Sequence, residues 1–183
     1  MQRVIASLIL ILMSPALTII LILSIAFQGL PLFYKQSRIG KHKKRFIIYK
    51  IRTMENSTAT KFGKILRNTG IDEVPQLFNI IKGDMKFIGP RPLTQADIER
   101  LEWNTPYHDI RWAVKPGLTG LAQLAPICHK KISWFLDAYY SRNKSLKIDA
   151  IIIIRTIVAM FIGKQKAISI IYLKTYKRKQ TQL

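Results

Sequence analysis

The sequence predicts a mainly α protein with one short β-hairpin, an α+β chain whose first helix enters a membrane. Three observations predict it. Residues 4–34 carry no charged side chain and are dense in Leu, Ile, Val, Ala and Phe, a run longer than the ~20 residues that cross a bilayer. Residues 45–52 are β-branched and aromatic between basic flanks, the composition of a short strand. Residues 61–68 and 73–82 repeat apolar side chains at helical spacing.

The chain has 183 residues, with 30 Lys+Arg against 10 Asp+Glu and a formal charge of +20. That length suits one domain, divided into 1–34 as the membrane helix and 35–183 as a cytoplasmic, membrane-associated part with a basic C-terminal tail. A hydrophobic fraction of 49% excludes a disordered basic tail and implies segregated apolar and basic segments. The single Cys128 cannot form an internal disulfide, and with three histidines the chain has no Cys/His zinc cluster. Nucleic acid is not the expected partner, because the charge comes without a helix-turn-helix, RNP-type or zinc signature.

The first segment is interrupted at Ser14-Pro15. Proline removes an intrahelical hydrogen bond and crowds the preceding turn, and in hydrocarbon the freed carbonyl needs a donor that the Ser14 hydroxyl can supply. A cleavable signal would have a shorter apolar core and an A-x-A-like site, and Ser24-Ile25-Ala26-Phe27 is a poor one. Lys35, Arg38, Lys41, Lys43, Lys44 and Arg45 put the following flank in the cytoplasm. A straight span would leave Arg3 outside, whereas a re-entrant hairpin would keep both ends inside; composition alone favours the span.

Gly40 and its lysines turn the chain into the strand. The helix at 61–68 sets Phe62, Ile65 and Leu66 against Lys61, Lys64 and Arg67, the pattern of a membrane-surface helix. At 73–82, Val74, Leu77, Phe78 and Ile81 form one face, with Asp72 as N-cap, Pro75 tolerated in the first turn and Gly83 as the stop. Residues 87–92 and 115–120 are proline- and glycine-punctuated loops, the first holding Arg91 rigidly, and a polar helix fits 96–103 between them. Trp112 and Trp134 read as lipid-interface anchors. Residues 146–162 are apolar but broken by Lys147, Asp149 and Arg155, which argues for a buried or surface-lying helix over a second span. Lys164, Lys166, Lys174, Lys177, Arg178 and Lys179 make an acid-free tail, suited to anionic membrane lipid.

The adjacent acids Asp72-Glu73 open a helix, which taken alone is the ordinary capping pattern. Their setting suggests more. Acids are scarce, while Lys50, Arg52, Arg67 and Arg91 lie on elements that could converge there. Carboxylates amid cations suit phosphoryl chemistry: cations and a hard metal such as Mg²⁺ neutralise phosphate oxygens while a carboxylate attacks phosphorus or holds the metal. Headgroup binding is the plainer reading of the arginines.

The succession Ser14-Pro15, Arg38-Ile39-Gly40, the run 46–54, Ile71-Asp72-Glu73-Val74-Pro75-Gln76, Lys82-Gly83-Asp84-Met85, Gly89-Pro90-Arg91-Pro92 and Lys115-Pro116-Gly117-Leu118-Thr119-Gly120 resembles the bacterial sugar transferases, the monotopic phosphoglycosyl transferases, over nearly the whole chain. The resemblance implies transfer of a sugar-1-phosphate from a UDP-sugar to undecaprenyl phosphate with release of UMP. It implies the first membrane step of exopolysaccharide, O-antigen or glycoprotein assembly, at the cytoplasmic face of the bacterial inner membrane. It also implies a re-entrant helix broken at Ser14 and Pro15, against the composition argument. Asp72 matches the nucleophile that forms a covalent phospho-sugar intermediate and Glu73 its dyad partner, the pair being linked to Mg²⁺. Lys50, Arg67 and Arg91 match cations around the phosphates. Asp137 and Asp149 match acids of the C-terminal part and read as structural. Where the family commonly has Val-Asn-Gly-Arg after Ala122-Gln123, this chain has 124–131, leaving Lys130 or Lys131 to replace a nucleotide-binding arginine without its planar fork. The oligomeric state is left open, including a homo-oligomer. The rival reading is a non-catalytic basic membrane-surface protein, or a family member with a decayed donor site.

Overall fold

The computed structural model describes residues 1–125 and 130–162. The basic tail at 164–179, Cys128 and the middle of the 124–131 departure lie outside the described residues. Helix α1, Gln2–Gln28, runs through Pro15 without an interruption of its helical assignment, which differs from the break expected at Ser14-Pro15. The Ser14 hydroxyl donates to the Ile11 carbonyl at 2.7 Å, the acceptor that Pro15, lacking an N–H, leaves free. At 1.5 Å per residue the helix is ~40 Å long, and it is long and apolar enough to cross a membrane.

Both ends of α1 dock on the rest of the chain. Near its start Ala6 is fully buried with Ile9 and Leu10 beside it, and the Arg3 guanidinium lies over Gly83. At its end the Phe27 ring packs on Phe62 at 5.4 Å, and Gln28 accepts a hydrogen bond from the Thr60 hydroxyl at 2.7 Å. Between them Ile11, Leu12, Ile19 and Ile22 are exposed.

Strand β1, Phe33–Ile39, pairs antiparallel with β2, Arg45–Ile51, in the register Tyr34↔Lys50 and Arg38↔Phe46. This is the expected hairpin, turned by Gly40 and a single helical turn at Lys41–Lys43. A minimal second hairpin, β3 at Met54–Glu55 and β4 at Thr58–Ala59, leads into α2, Lys61–Thr69, whose N-cap Thr60 accepts from the Gly63 N–H at 2.8 Å. Leu66 is buried while Ile65 is exposed, so the apolar face of α2 is shared between the core and the outside.

The single helix expected over 73–82 is instead a 3₁₀ segment, Ile71–Gln76, followed by α3, Leu77–Lys82. Proline disfavours α geometry in the residue before it, so the α-helix starts beyond Pro75. The change from three to 3.6 residues per turn rotates the apolar face: Leu77 and Ile80 are buried, and Phe78 is exposed. Nor is Asp72 a cap. The N-cap is Gly70, in the left-handed region at φ 74°, and Asp72 lies inside the 3₁₀ segment. Gly83 stops α3 as expected, at φ 89°.

Beyond α3, β5 at Lys86–Ile88 precedes α4 at Gln95–Leu101, which carries a capping box between Thr94 and Asp97. A 3₁₀ segment, Pro106–Ala113, leads to β6, Gly117–Thr119, which pairs parallel with β5. Helices α5, Lys130–Asn143, and α6, Leu146–Ile162, follow. The described residues are thus mostly helical with a few short strands. The expectation of interface anchors at Trp112 and Trp134 is overturned for Trp112, which is 5% exposed in a cluster with Ile39, Leu93, Ile98 and Trp103, and Trp134 packs against that cluster. The cause is the Arg111 guanidinium, which stacks 4.4 Å from the Trp112 ring and 5.2 Å from that of Trp103 and so holds the indoles inward. Helix α6 buries Ile152 fully and leaves Ile151, Ile153, Ile154 and Ile157 exposed, the arrangement of a surface-lying helix.

The β5–β6 contact is so close that a Cβ on Gly117 would lie 2.0 Å from the Gly89 nitrogen, whereas one on Gly70 would meet nothing within 4 Å. Gly117→Ala is therefore expected to destabilise by about 3 kcal/mol or more, the upper range for overpacking, and Gly70→Ala by only ~1–2 kcal/mol of backbone strain. Chemical denaturation of the two variants in detergent checks the order; equal losses would mean that the strands can separate.

Candidate active site

Strand alternation puts Lys50 on the same face of β2 as Ile48, and Ile48 packs on Leu77 and Ile80. Asn79, fully buried on α3, donates from Nδ2 to the Ile47 carbonyl at 2.6 Å and fixes that docking. The 3₁₀ segment is consequently held against β2, and the Lys50 ammonium donates to Glu73 Oε1 as an ion pair. Asp72 is 7% exposed. Burial first, and the neighbouring Glu73 charge second, push its carboxyl above the ordinary range, while Lys50 and Arg67 pull it back. Arg67 itself is exposed on the last turn of α2. Four of the expected residues, Asp72, Glu73, Lys50 and Arg67, are therefore brought together.

Arg91 is exposed on the loop after β5, and two other guanidiniums hold that loop. Arg111 donates to the Arg91 carbonyl at 2.8 Å and to Asp137 at 2.8 and 3.2 Å; its pair with Asp137 is almost fully buried, at 1% and 2% exposure. Burial pushes the Asp137 carboxyl up, against the pull of Arg111. Arg38, on β1, donates to the Pro92 carbonyl at 3.1 Å and lies 3.5 Å from Asp97. Burial and then the Arg91 charge lower its pKa, and Asp97, Tyr34 and Glu73 act the other way, so Arg38 stands in the field of both Arg91 and Glu73.

Sequence reasoning took Arg38 only as part of a motif and a basic flank, and passed over Arg111. For Arg38 the signal was available: the hairpin register puts it on the face of β1 that continues the face of Lys50. No local pattern pairs Arg111 with Asp137, which lie 26 residues apart. Arg52 does not join the site. It donates to the Gln28 and Gly29 carbonyls at the end of α1. Asp149 accepts the Tyr140 hydroxyl at 2.8 Å, which with burial pushes the tyrosine well above its usual value. Lys130 forms an ion pair with Glu102, next to His108, whose pKa is lowered by burial and then by Lys130. Lys131 is exposed on the first turn of α5.

No cluster of three or more His, Cys, Asp and Glu occurs among the described residues. Mg²⁺ does not need one, since it is commonly bound by one or two carboxylates together with substrate phosphates and water. The donor set of Asp72 and Glu73 fits that mode. The arrangement offers a sheltered carboxylate that two cations hold toward its ionised form, with ammonium and guanidinium groups nearby to take phosphate oxygens.

The family model for bacterial sugar transferase matches residues 1–163. Among curated proteins, the UDP-N-acetylgalactosamine-undecaprenyl-phosphate N-acetylgalactosaminephosphotransferase of Aeromonas hydrophila is 36% identical over 152 residues, covering 73% of this chain and 36% of that protein. The uncharacterized sugar transferase EpsL of Bacillus subtilis is 39% identical over 145 residues, covering 70% of this chain and 69% of its own. The UDP-glucose:undecaprenyl-phosphate glucose-1-phosphate transferase of Klebsiella pneumoniae is 34% identical over 184 residues, covering 88% of this chain and 39% of that protein. The chain thus spans well under half the length of the first and third of these relatives and about two thirds of EpsL. With the match running from the apolar helix to α6 and taking in the Asp72-Glu73 pair, the chain belongs to the bacterial sugar transferase family.

Proposed function

We propose that this chain is a phosphoglycosyl transferase that moves a sugar-1-phosphate from a UDP-sugar to undecaprenyl phosphate and releases UMP. The observation that carries the reading is the sheltered Asp72 carboxylate beside Glu73, with Lys50 and Arg67 acting on it. Relatives named for transfer from UDP-sugars to undecaprenyl phosphate support the substrate class.

In the first half-reaction an Asp72 oxygen attacks the phosphorus that carries the sugar, forming an acyl phosphate while the bond to the UMP phosphate breaks. UMP leaves with that electron pair. In the second, an oxygen of undecaprenyl phosphate attacks the same phosphorus and Asp72 departs as a carboxylate, giving the polyprenyl-diphosphate sugar. Splitting one displacement into two in this way is the logic of covalent catalysis. Lys50 holds Glu73 in place beside the nucleophile, and Arg67 and Arg91 supply positive charge for phosphate oxygens. Mg²⁺, held by Asp72 and Glu73, would neutralise phosphate charge during the transfer. Lys130 and Lys131 remain the candidates for the donor nucleotide.

The membrane arrangement we infer is re-entrant, with both ends of α1 on the cytoplasmic side of the inner membrane. Its support is the docking of both ends on one body: Arg3 and Ala6 at α3, Phe27 and Gln28 at α2. The basic tail and the outward face of α6 would meet anionic lipid.

The deciding experiment is UMP release by the purified protein with undecaprenyl phosphate, Mg²⁺ and a panel of UDP-sugars. Release that needs both lipid and metal is expected, and Asp72→Asn should lower it by about four orders of magnitude or more; a protein that folds but releases no UMP from any donor would favour a decayed donor site.

Asp72→Asn should also report on the charge itself. Because the folded carboxyl pKa is raised above the unfolded one, the stability it contributes is full below the unfolded value and lost as pH rises through the folded value. The variant is expected to melt at or above the wild-type Tm near pH 7.5, with the gap closing toward acid. A variant that melts lower at neutral pH would mean that the Asp72 carboxylate sustains the fold.

For topology, a cysteine-reactive tag at Met1 is expected to be labelled from the cytoplasm and protected from the periplasm. Labelling from outside would establish a straight span.

A further inference from the structure

We propose a second phosphate-binding site, separate from Asp72 and built from Lys41, Lys86, Lys115 and Lys144, that takes the phosphate of an anionic ligand at the foot of α6. Strand alternation puts the Lys86 side chain on the same face of β5 as Ile88. The Tyr140 hydroxyl on α5 reaches the Ile88 carbonyl at 3.3 Å, and Lys144 follows Tyr140 by about one helical turn. That registration carries Lys144 toward the half-buried Lys86, whose ammonium it acts on more than any other group does. On the other side, the Lys86 N–H donates to the Pro116 carbonyl at 2.9 Å and Lys86 pairs in register with Gly117, which brings Lys115 alongside. From the hairpin turn, Gly40 lines one small cleft with Val114 and Pro116, which carries the neighbouring Lys41 charge toward Lys86.

Lysines from four parts of the chain therefore direct their charge to one region around Lys86. Among the described residues, none of the four forms an ion pair with a carboxylate, whereas Lys43, Lys50, Lys82 and Lys130 all do. The acids on adjoining elements are otherwise engaged: Asp84 with Lys82 at 3.8 Å, and Asp149 with the Tyr140 hydroxyl at 2.8 Å. Contact with Lys144 first, then burial and the charges of Lys115 and Lys41, lower the Lys86 pKa to about 8. Helix C-termini account for Lys115, whose ammonium donates to the Gly83 carbonyl, and for Lys144 at the end of α5. They give no reason for a half-buried lysine on a strand between them.

A compact oxyanion with more than one charge satisfies all of these groups at once, through charge-assisted hydrogen bonds. Phosphate is the natural class. None of the four lysines is among the charges acting most on Asp72, so the site goes beyond the proposed catalysis. Leu146, 88% exposed, follows Lys144 by two residues and opens α6, whose Ile151, Ile153, Ile154 and Ile157 are exposed further along, so the phosphate can come from a lipid headgroup as well as from solution.

The test uses the full chain with its lysines ¹³C-dimethylated, which keeps their charge, in nanodiscs. Lys86 and Lys144 signals are assigned with Lys86→Gln and Lys144→Gln, and Lys64→Gln serves as a control for lost charge elsewhere. Binding of an anion must raise the Lys86 pKa, by about one unit for a tenfold preference for the charged form. A rise on adding inorganic pyrophosphate in phosphatidylcholine discs would identify a soluble phosphate ligand. A rise only on moving to phosphatidylglycerol discs would identify a headgroup. Either outcome supports the site, provided that Lys144→Gln weakens the effect at least several-fold and Lys64→Gln does not. No rise in either medium, or an equal response in Lys144→Gln, overturns it. The readout is independent of transfer activity, so a failure here leaves the transferase reading untouched.

Discussion

The docking of α3 on β2 through Asn79 is the contact on which the site depends. Asn79 is fully buried and hands one hydrogen bond to the Ile47 carbonyl, while its own carbonyl accepts from Gly83, Asp84 and Met85. A single such bond is worth only ~1 kcal/mol net, but leaving a buried polar group unpaired costs ~1–3 kcal/mol. The side chain consequently specifies where the hairpin sits more than it adds to stability. Its side-chain oxygen, Oδ1, is buried without a partner, and turning the amide over would set that oxygen against the Ile47 carbonyl, so the Nδ2 bond fixes the orientation. With that register set, Lys50 meets Glu73, and Asp72 is carried into shelter behind it.

Burial and charge pull in opposite directions at Asp72, and the chain manages the conflict with cations at graded distance. Lys50 is tied to Glu73 and so does not neutralise Asp72 outright, and Arg67 acts from an exposed position. The two cations offset part of what burial and the Glu73 charge do to that carboxyl, without either one pairing with it directly. Elsewhere the same chemistry is used for position. The Arg111–Asp137 pair is buried between Trp103 and Trp112, where removing one partner would cost ~3–5 kcal/mol. The same Nη2 that meets Asp137 also donates to the Arg91 carbonyl, which fixes that backbone while the Arg91 side chain stays exposed.

The elements most legible in the sequence were those decided by neighbours along the chain. Gly40 turned the hairpin and Gly83 stopped α3, each through its own backbone chemistry, and the helices at 61–68 and 96–103 stand close to where their spacing put them, with caps at Thr60 and Thr94 that were not read. The start of α3 was misread because the effect of Pro75 falls on Val74, and the change of helical pitch moved Phe78 outward. Trp112 was misread because what turns it inward is a buried ion pair closed by Asp137, 26 residues beyond Arg111. In the site, charge composition and the family resemblance pointed to Lys50, Asp72, Glu73 and Arg67. Arg52 satisfied the same composition and went instead to the end of α1, since composition does not say toward which carbonyl a guanidinium turns.

That end of α1 bears on the membrane question in a way that composition cannot. By charge count, Arg3 is a single residue and carries little weight in the positive-inside rule. By contact, Arg3 lies over Gly83 and Ala6 is fully buried against Ile48, Leu77, Ile80 and Met85, while Phe27 and Gln28 hold α2. A straight span would have to give up one of these sets. Releasing the first would expose the apolar core beneath Ala6, and releasing the second would strip Arg52 of the carbonyls that it serves. Pro15 adds no such loss in either arrangement, because Ser14 already satisfies the carbonyl it frees. The balance between crossing and returning therefore rests on the two ends of the helix and not on the proline at its middle.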